Sequence, residues 1–226
     1  MARRMADTHY RRLAASRLDE LQILPVNDLA TRLQRGRKPD EWPPYVSAEH
    51  DLEKARIITL IPRPEPRPRL KVGSGMFSFE DDHPSAERMA LVFEAVDLSL
   101  RHVMPWHAYP WRVAGRHTHE QLDAGTKPLI ELIGLLPRVR AVVAHGEESM
   151  YVAGRLSSPD VARTLLRDRG IHVFAARSTS PSAWSPDDDA AAAALRTMRE
   201  VYRQAMVHAK LRPREETGSR RRRTRT

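Results

Sequence analysis

The feature that most constrains the fold is a series of short apolar runs, each separated from the next by a stretch with helical periodicity. The first run is Ile57-Ile-Thr-Leu-Ile61, which is rich in β-branched residues and is ended by Pro62. A run of this kind is typical of a strand buried on both faces of a parallel sheet. Similar runs follow at about residues 102–106, 139–144 and 171–175. The alternation predicts an α/β fold, a three-layer α/β/α sandwich around a central four-stranded parallel sheet.

The segments between these strands carry helix signals. Asn27 is predicted to cap a short amphipathic helix that ends near Gln34. Further helices are predicted to begin at Pro84, to cover 119–136 in two pieces, to follow the third strand, and to cover 160–169 and 188–211. Ligands of such sheets bind beyond the carboxyl ends of the strands, so the four loops there are the candidates for a functional site.

Charge divides the chain into three parts. The 226 residues are 41% hydrophobic, which is enough for one sizeable core. The net charge of +9 is carried by the ends, with +4 in residues 1–17, +5 in residues 212–226 and none between them. We therefore expect a basic N-terminal arm at 1–19, one domain at 20–211 and a disordered Arg-rich tail at 212–226. Flexible basic ends bind polyanions through counterion release, although they also suit a tail that only maintains solubility.

Several classes of protein and site are excluded by what the sequence lacks. There are no cysteines, which excludes disulfides and thiolate chemistry and fits a reducing compartment. No apolar run reaches the length of about 18 residues that a membrane helix requires. His117 and His119 have no third ligand at a diagnostic spacing, so neither a metal site nor a cofactor is predicted. We expect a cytoplasmic monomer without a membrane partner.

Six segments of the chain match a known pattern in order and spacing. They are Ala55–Ile61, Gly73–Gly75, Asp82–Met89, Trp106–Trp111, Leu122–Gly125 and Leu135–Val143. Over roughly residues 20–205 the chain resembles one group of bacterial proteins in the uracil-DNA glycosylase superfamily. The resemblance implies DNA as the partner and a pocket for a flipped-out base at the ends of the strands.

The same resemblance shows where this chain departs from the family. The family has an acidic residue or an Asn after the first strand, where it polarises the attacking water. Here Pro62 takes that position, and Glu65 takes the position of a Gly. His107 replaces the Asn that reads the pyrimidine edge. The family's late His, which stabilises the leaving base, has no counterpart in residues 177–184.

The resemblance implies candidate residues in three roles. A shifted active site would use Glu65 or Asp82 to polarise water, and His107 or Arg177 to stabilise the leaving base. The catalytic candidates are therefore Glu65, His107 and Arg177. The base pocket is assigned to Met76, Phe77, Trp106 and His107. The DNA contacts are assigned to Pro64, Pro66, Ser178, Thr179, Ser180, Pro181, Arg220, Arg221, Arg222 and Arg223.

Two functions are open at this point. One is an enzyme that excises uracil or another altered base by hydrolysing its N-glycosidic bond. The other is a catalytically inactive DNA-binding module of the same fold. Pro62 favours the second, because the loss of one positioned electrostatic group costs about 10²- to 10³-fold in rate. The retained loops and Glu65 favour the first, although Glu65 also suits a solvated loop charge, and Trp106 a core residue.

Overall fold

A four-stranded parallel sheet with helices on both faces forms the centre of the molecule. The computed structural model describes residues 3–64, 75–113, 115–157, 160–179 and 188–213. The helices are α1 (Thr8–Ala15), α2 (Leu24–Gln34), α3 (Pro84–Val96), α4 (His119–Leu135), α5 (Gly146–Arg155), α6 (Asp160–Arg169) and α7 (Asp188–His208). The strands are β1 (Tyr45–Val46), β2 (Ile57–Ile61), β3 (Met76–Phe77), β4 (Val103–His107), β5 (Ala141–His145) and β6 (His172–Ala176).

The main sheet has the order β4-β2-β5-β6, with every neighbouring pair parallel. The inner strands β2 and β5 are almost completely buried, as is the edge strand β4, whereas the other edge strand, β6, is partly exposed. This burial explains why the inner strands read as continuous apolar runs rather than as alternating patterns. The predicted α/β/α fold with four parallel strands is confirmed; the bounds of β2 agree with the prediction, and those of the other three strands differ by one or two residues.

Two groups of helices cover the sheet. On one side α3 packs against α7, which also contacts β5 and β6. The other group contains α2, α4 and α5, where α4 contacts both of the others and α5 lies on β2, β5 and β6. In α4 the apolar residues Leu129, Leu132 and Ile133 are buried. Among the helices in the described ranges, none is long and apolar enough to cross a membrane.

Asn27 is not a helix cap, so that prediction was wrong. Helix α2 begins three residues earlier, at Leu24, and Asn27 lies within it. Its side chain is buried, donates to the carbonyls of Leu18 and Val46 and accepts from the Val46 amide. The residue therefore fixes the short strand β1 to α2, which is a tertiary role that local capping rules do not reveal. Strand β1 pairs with β3 in a small second sheet that the sequence did not indicate.

Helix α4 was predicted in two pieces and is one helix of 17 residues. A capping box formed by Thr118 and Gln121 begins it. Pro128 lies inside the helix and is buried, as is Leu129. Burial of the proline in the core offsets the cost of the backbone hydrogen bond that it cannot donate, so the helix continues through this position.

Residues 4–19 differ from the expected flexible arm because they pack against the domain. Met5 is fully buried and its amide donates to the carbonyl of Glu80. Arg4 forms an ion pair with Glu80, and the Tyr10 hydroxyl donates to the same carboxylate at 2.5 Å. Arg17 is paired with two other glutamates. These basic side chains are therefore partly neutralised by acidic groups of the domain itself.

Candidate functional site

The carboxyl edge of the main sheet is where the site is expected, and the topology places a crevice there. The chain leaves β2 for its neighbour β4 and then crosses back to β5 on the other side of β2. Ligands of open α/β sheets bind at such a switch point. Beyond β2 and β4 the two loops are joined, because Ala108 donates to the carbonyl of Ile61 at 2.7 Å and Tyr109 to that of Pro62 at 3.1 Å.

The loops after β5 and β6 also meet at this edge. A Cβ at Gly146 would lie 3.1 Å from the Cβ of Ser178, so the two loops are in close contact. Thr179 is buried, and its carbonyl accepts from the Ser85 hydroxyl at 2.9 Å and from Arg88 at 3.1 Å. Of the predicted DNA-contacting residues, Thr179 is thus held against the start of α3 and Ser178 lies beside the start of α5.

Two of the four residues assigned to the base pocket form a stacked pair. The rings of Phe77 and His107 lie 4.1 Å apart between centroids, at an interplanar angle of 25°. His107 ends β4 and Phe77 ends β3, so the pair lies at the carboxyl edge. Met76 instead packs with Met5 in a separate small cluster, and Trp106 lies in the main core, to which Phe77 also belongs. The structure therefore brings together half of the assigned pocket.

His107 is 5% exposed, and its surroundings determine its charge. Burial lowers the pKa of its imidazole well below the usual value, and electrostatic interactions with Arg112 and His117 lower it further. The ring is therefore neutral at pH 7, with one nitrogen that donates and one that accepts. A neutral ring of this kind can hydrogen-bond a base edge but does not supply a fixed positive charge.

The remaining predicted residues fall into two groups. Pro64 is buried and Arg177 is exposed, with the Arg177 carbonyl accepting from His145. Asp82 forms an ion pair with Arg3 at 3.2 Å, which engages the carboxylate that was a candidate for polarising water. The other predicted residues lie outside the described residues, namely Glu65, Pro66, Ser180, Pro181, Arg220, Arg221, Arg222 and Arg223.

A pair that the sequence did not identify lies at the same edge. The Nδ1 of His117 is 2.9 Å from a carboxylate oxygen of Glu148, and the His117 side chain is fully buried. The His117 ring also lies 4.9 Å from that of Tyr109. His119, two residues further along the chain, lies beside Tyr151 instead. Within the described residues no group of three or more His, Asp or Glu side chains could hold a metal ion.

The position of Glu148 is the sequence signal that could have indicated this pair. It is the third residue of the helix that follows the buried strand β5, so it lies near the switch point. Arg63 also follows a central strand, β2, and its Nη1 is buried with no hydrogen-bond partner in the described part of the chain. Both are polar groups at the carboxyl edge, and the second is a cation next to Pro62.

A buried row of hydrogen-bonded side chains joins the sheet to α7. The Nε2 of His145 is 2.9 Å from the Tyr202 hydroxyl, which lies 2.8 Å from the hydroxyl of Thr59. Burial lowers the His145 pKa to about 4 and raises the Tyr202 pKa. Both groups are neutral at pH 7, so these hydrogen bonds hold β5 against α7 and supply no charge to the site.

Comparisons with known proteins do not assign the chain to a family. No family model matches the chain, and no curated protein sequence does so. The function must therefore be inferred from the fold and from the side chains gathered at the carboxyl edge.

Proposed function

We propose that this chain binds DNA, takes an unstacked base at the carboxyl edge of its sheet and hydrolyses the N-glycosidic bond of that base. The observation that carries the proposal is the stacked pair of Phe77 and His107, at 4.1 Å, at the end of β4. Ring faces are the surfaces on which single bases stack, and a neutral imidazole adds one donor and one acceptor. The resemblance to the uracil-DNA glycosylase superfamily, which rests on the same segments, supports the proposal.

Charge supports DNA as the partner. Arg63 provides a buried guanidinium nitrogen without a hydrogen-bond partner in the described ranges, beside the crevice, and such a group favours an anionic or carbonyl oxygen. Part of the basic charge at the N-terminus is engaged by acidic residues of the domain. More of the positive charge that can attract phosphates is therefore in residues 212–226, with a net charge of +5, than at the N-terminus. This attraction does not depend on the base sequence.

A second candidate function is a DNA-binding module without catalytic activity. Pro62 favours it, because proline has no side-chain group that polarises water. The low exposure of the ring pair, 8% for Phe77 and 5% for His107, favours it as well, since a base must displace neighbouring groups to stack there. The two candidates share the binding step and differ only in release of the base.

Replacing His107 tests the binding step. His107→Phe keeps a ring against Phe77 and removes the donor and the acceptor. We expect about 10-fold weaker binding of a single strand that contains 2′-fluoro-deoxyuridine, because one hydrogen bond to a buried base is worth about 1–1.5 kcal/mol. Fluorescence anisotropy measures the affinity.

An oligonucleotide with an abasic analogue in place of the uridine is the control, and its affinity should be the same for both proteins. If the two proteins bind the uridine strand equally well, His107 does not contact the base and the proposed orientation of the site is wrong. Thermal unfolding of both proteins shows whether the substitution has altered the fold.

A further inference from the structure

His117 and Glu148 form a pair in which the histidine side chain is buried and the carboxylate is partly exposed. His117 precedes α4, and Glu148 lies in the first turn of α5, so the contact joins two loops at the carboxyl edge. The distance from Nδ1 to the carboxylate oxygen is 2.9 Å. His117 is 0% exposed at its side chain and Glu148 is 29% exposed. The histidine is therefore enclosed, while its partner reaches the solvent.

The contact fixes the tautomer of the histidine. An ionised carboxylate only accepts hydrogen bonds, so in the neutral ring the proton lies on Nδ1 and the lone pair lies on Nε2. That Nε2 is buried and has no hydrogen-bond partner among the described residues. An unsatisfied buried polar atom costs about 1–3 kcal/mol, so its presence in a folded protein calls for an explanation.

Two other buried histidines provide a comparison. His145 has both ring nitrogens engaged, by the Arg177 carbonyl and the Tyr202 hydroxyl, as expected of a structural residue. His50 also has an unpartnered Nε2, but its Nδ1 contacts the carbonyl of Val103, at the amino end of β4. His117 alone among these three combines a carboxylate partner with a place at the carboxyl edge.

Tyr109 connects His117 to the position of the group that the chain lacks. The His117 ring lies 4.9 Å from the ring of Tyr109, whose amide donates to the carbonyl of Pro62 at 3.1 Å. Pro62 stands where the resemblance implies a residue that polarises water. Tyr109 therefore contacts His117 through its ring and the residue at that position through its backbone amide.

We propose that His117 is the general base of this site and that Glu148 is its positioning residue. The inference rests on the proposed function. The Nε2 of His117 takes a proton from water, and the water oxygen forms a bond to C1′ of the deoxyribose. The C1′–N bond breaks with its electron pair on the base, which leaves as an anion. The proton on Nε2 then passes to the departing base or to solvent, so atoms and charges balance.

Glu148 contributes in two ways. Its carboxylate keeps the Nδ1 proton in place, which leaves the lone pair on Nε2 to accept a proton. It also stabilises the imidazolium that forms during the step, as the acidic member does in other histidine–carboxylate pairs. A general base of this kind contributes about 10²- to 10⁴-fold to the rate.

The experiment measures single-turnover release of uracil from a labelled oligonucleotide by the full chain and by His117→Gln. We expect release to fall about 100-fold or more in the variant. Its affinity for the 2′-fluoro-deoxyuridine strand, which resists cleavage, should stay within about 2-fold, because the step lost is chemical. His119→Gln is the matched control, since His119 is a nearby exposed histidine that contacts Tyr151 instead.

Glu148 is tested by two substitutions. Glu148→Gln removes the negative charge and should slow release about 10-fold or more, whereas Glu148→Asp keeps the charge and should restore part of the rate. Binding of the 2′-fluoro-deoxyuridine strand should be unaltered in both. A purely structural role would lower thermal stability and binding in both variants without this difference in rate.

The outcomes separate this inference from the function on which it rests. Release by the His117→Gln protein at the rate of the unaltered chain overturns the catalytic pair and leaves the proposed function in place. A loss of binding together with thermal stability in His117→Gln assigns a structural role and also overturns the pair. If the unaltered chain releases no base at all, the hydrolysis itself is wrong, and the pair is rejected with it.

Discussion

Lowering the pH from 7 to 5 is expected to reduce the free energy of unfolding by about 4 kcal/mol through His50 and His145 alone. Both side chains are completely buried. Burial lowers the pKa of each to about 4, from an ordinary value of 6.5. Since domains of this size are commonly stable by about 5–15 kcal/mol, the loss is a large part of the total.

The direction follows from which state binds more protons. Between pH 6.5 and 4 the unfolded chain protonates these histidines while the folded chain does not. Their contribution is therefore fully present above pH 6.5 and is lost as the pH falls through this range. His107 adds to the same trend, because burial lowers its pKa as well.

Urea unfolding at pH 7, 6 and 5 measures this effect. His145→Gln is expected to be less stable at pH 7 and to lose about half of the pH dependence of the two histidines, because one titrating group is gone. A free energy of unfolding that stays constant from pH 7 to 5 would show that these rings are protonated in the folded protein or reach the solvent.

Gly125→Ala is expected to destabilise the protein by about 3 kcal/mol or more, because the added methyl group meets backbone rather than a movable side chain. A Cβ at this position in α4 would lie 1.8 Å from the carbonyl oxygen of Ala108. Ala108 is itself fixed, since its amide donates to Ile61. The helix or the loop after β4 must shift, and that loop carries Tyr109 of the candidate site.

Gly134→Ala provides the matched control in the same helix. A Cβ at Gly134 would meet no atom within 4 Å, and the residue is exposed. Alanine there should be neutral or stabilise the helix by about 0.5–1 kcal/mol. Chemical denaturation of both variants measures the difference. Similar stabilities for the two would mean that α4 does not approach Ala108 as closely as described.

The sequence predicted the sheet because its signal is local. Four apolar runs, each about five residues long and separated by helical patterns, define the strands without knowledge of their partners. The roles of Asn27 and Pro128 were missed because tertiary packing decides them. Asn27 bonds to residues on both sides of α2, and Pro128 is held within α4 by the core around it.

The candidate site was predictable only in part for a similar reason. The topology of a parallel sheet identified the correct edge, and His107 was expected there. The pair of His117 and Glu148 could not be predicted, because the two residues are 31 positions apart and meet only through the fold. Met76 packs with Met5, which is even more distant in the chain, instead of lining a pocket with Phe77 and His107.

Release of a base from DNA is the most direct test of the central claim. The full chain is incubated with labelled single- and double-stranded oligonucleotides that contain uracil or another deaminated base. Alkali then cleaves any abasic site, and binding is measured in parallel. We expect strand cleavage at the altered base. Binding without cleavage would contradict the enzyme and support the inactive module, and the absence of both would contradict the interaction with DNA itself.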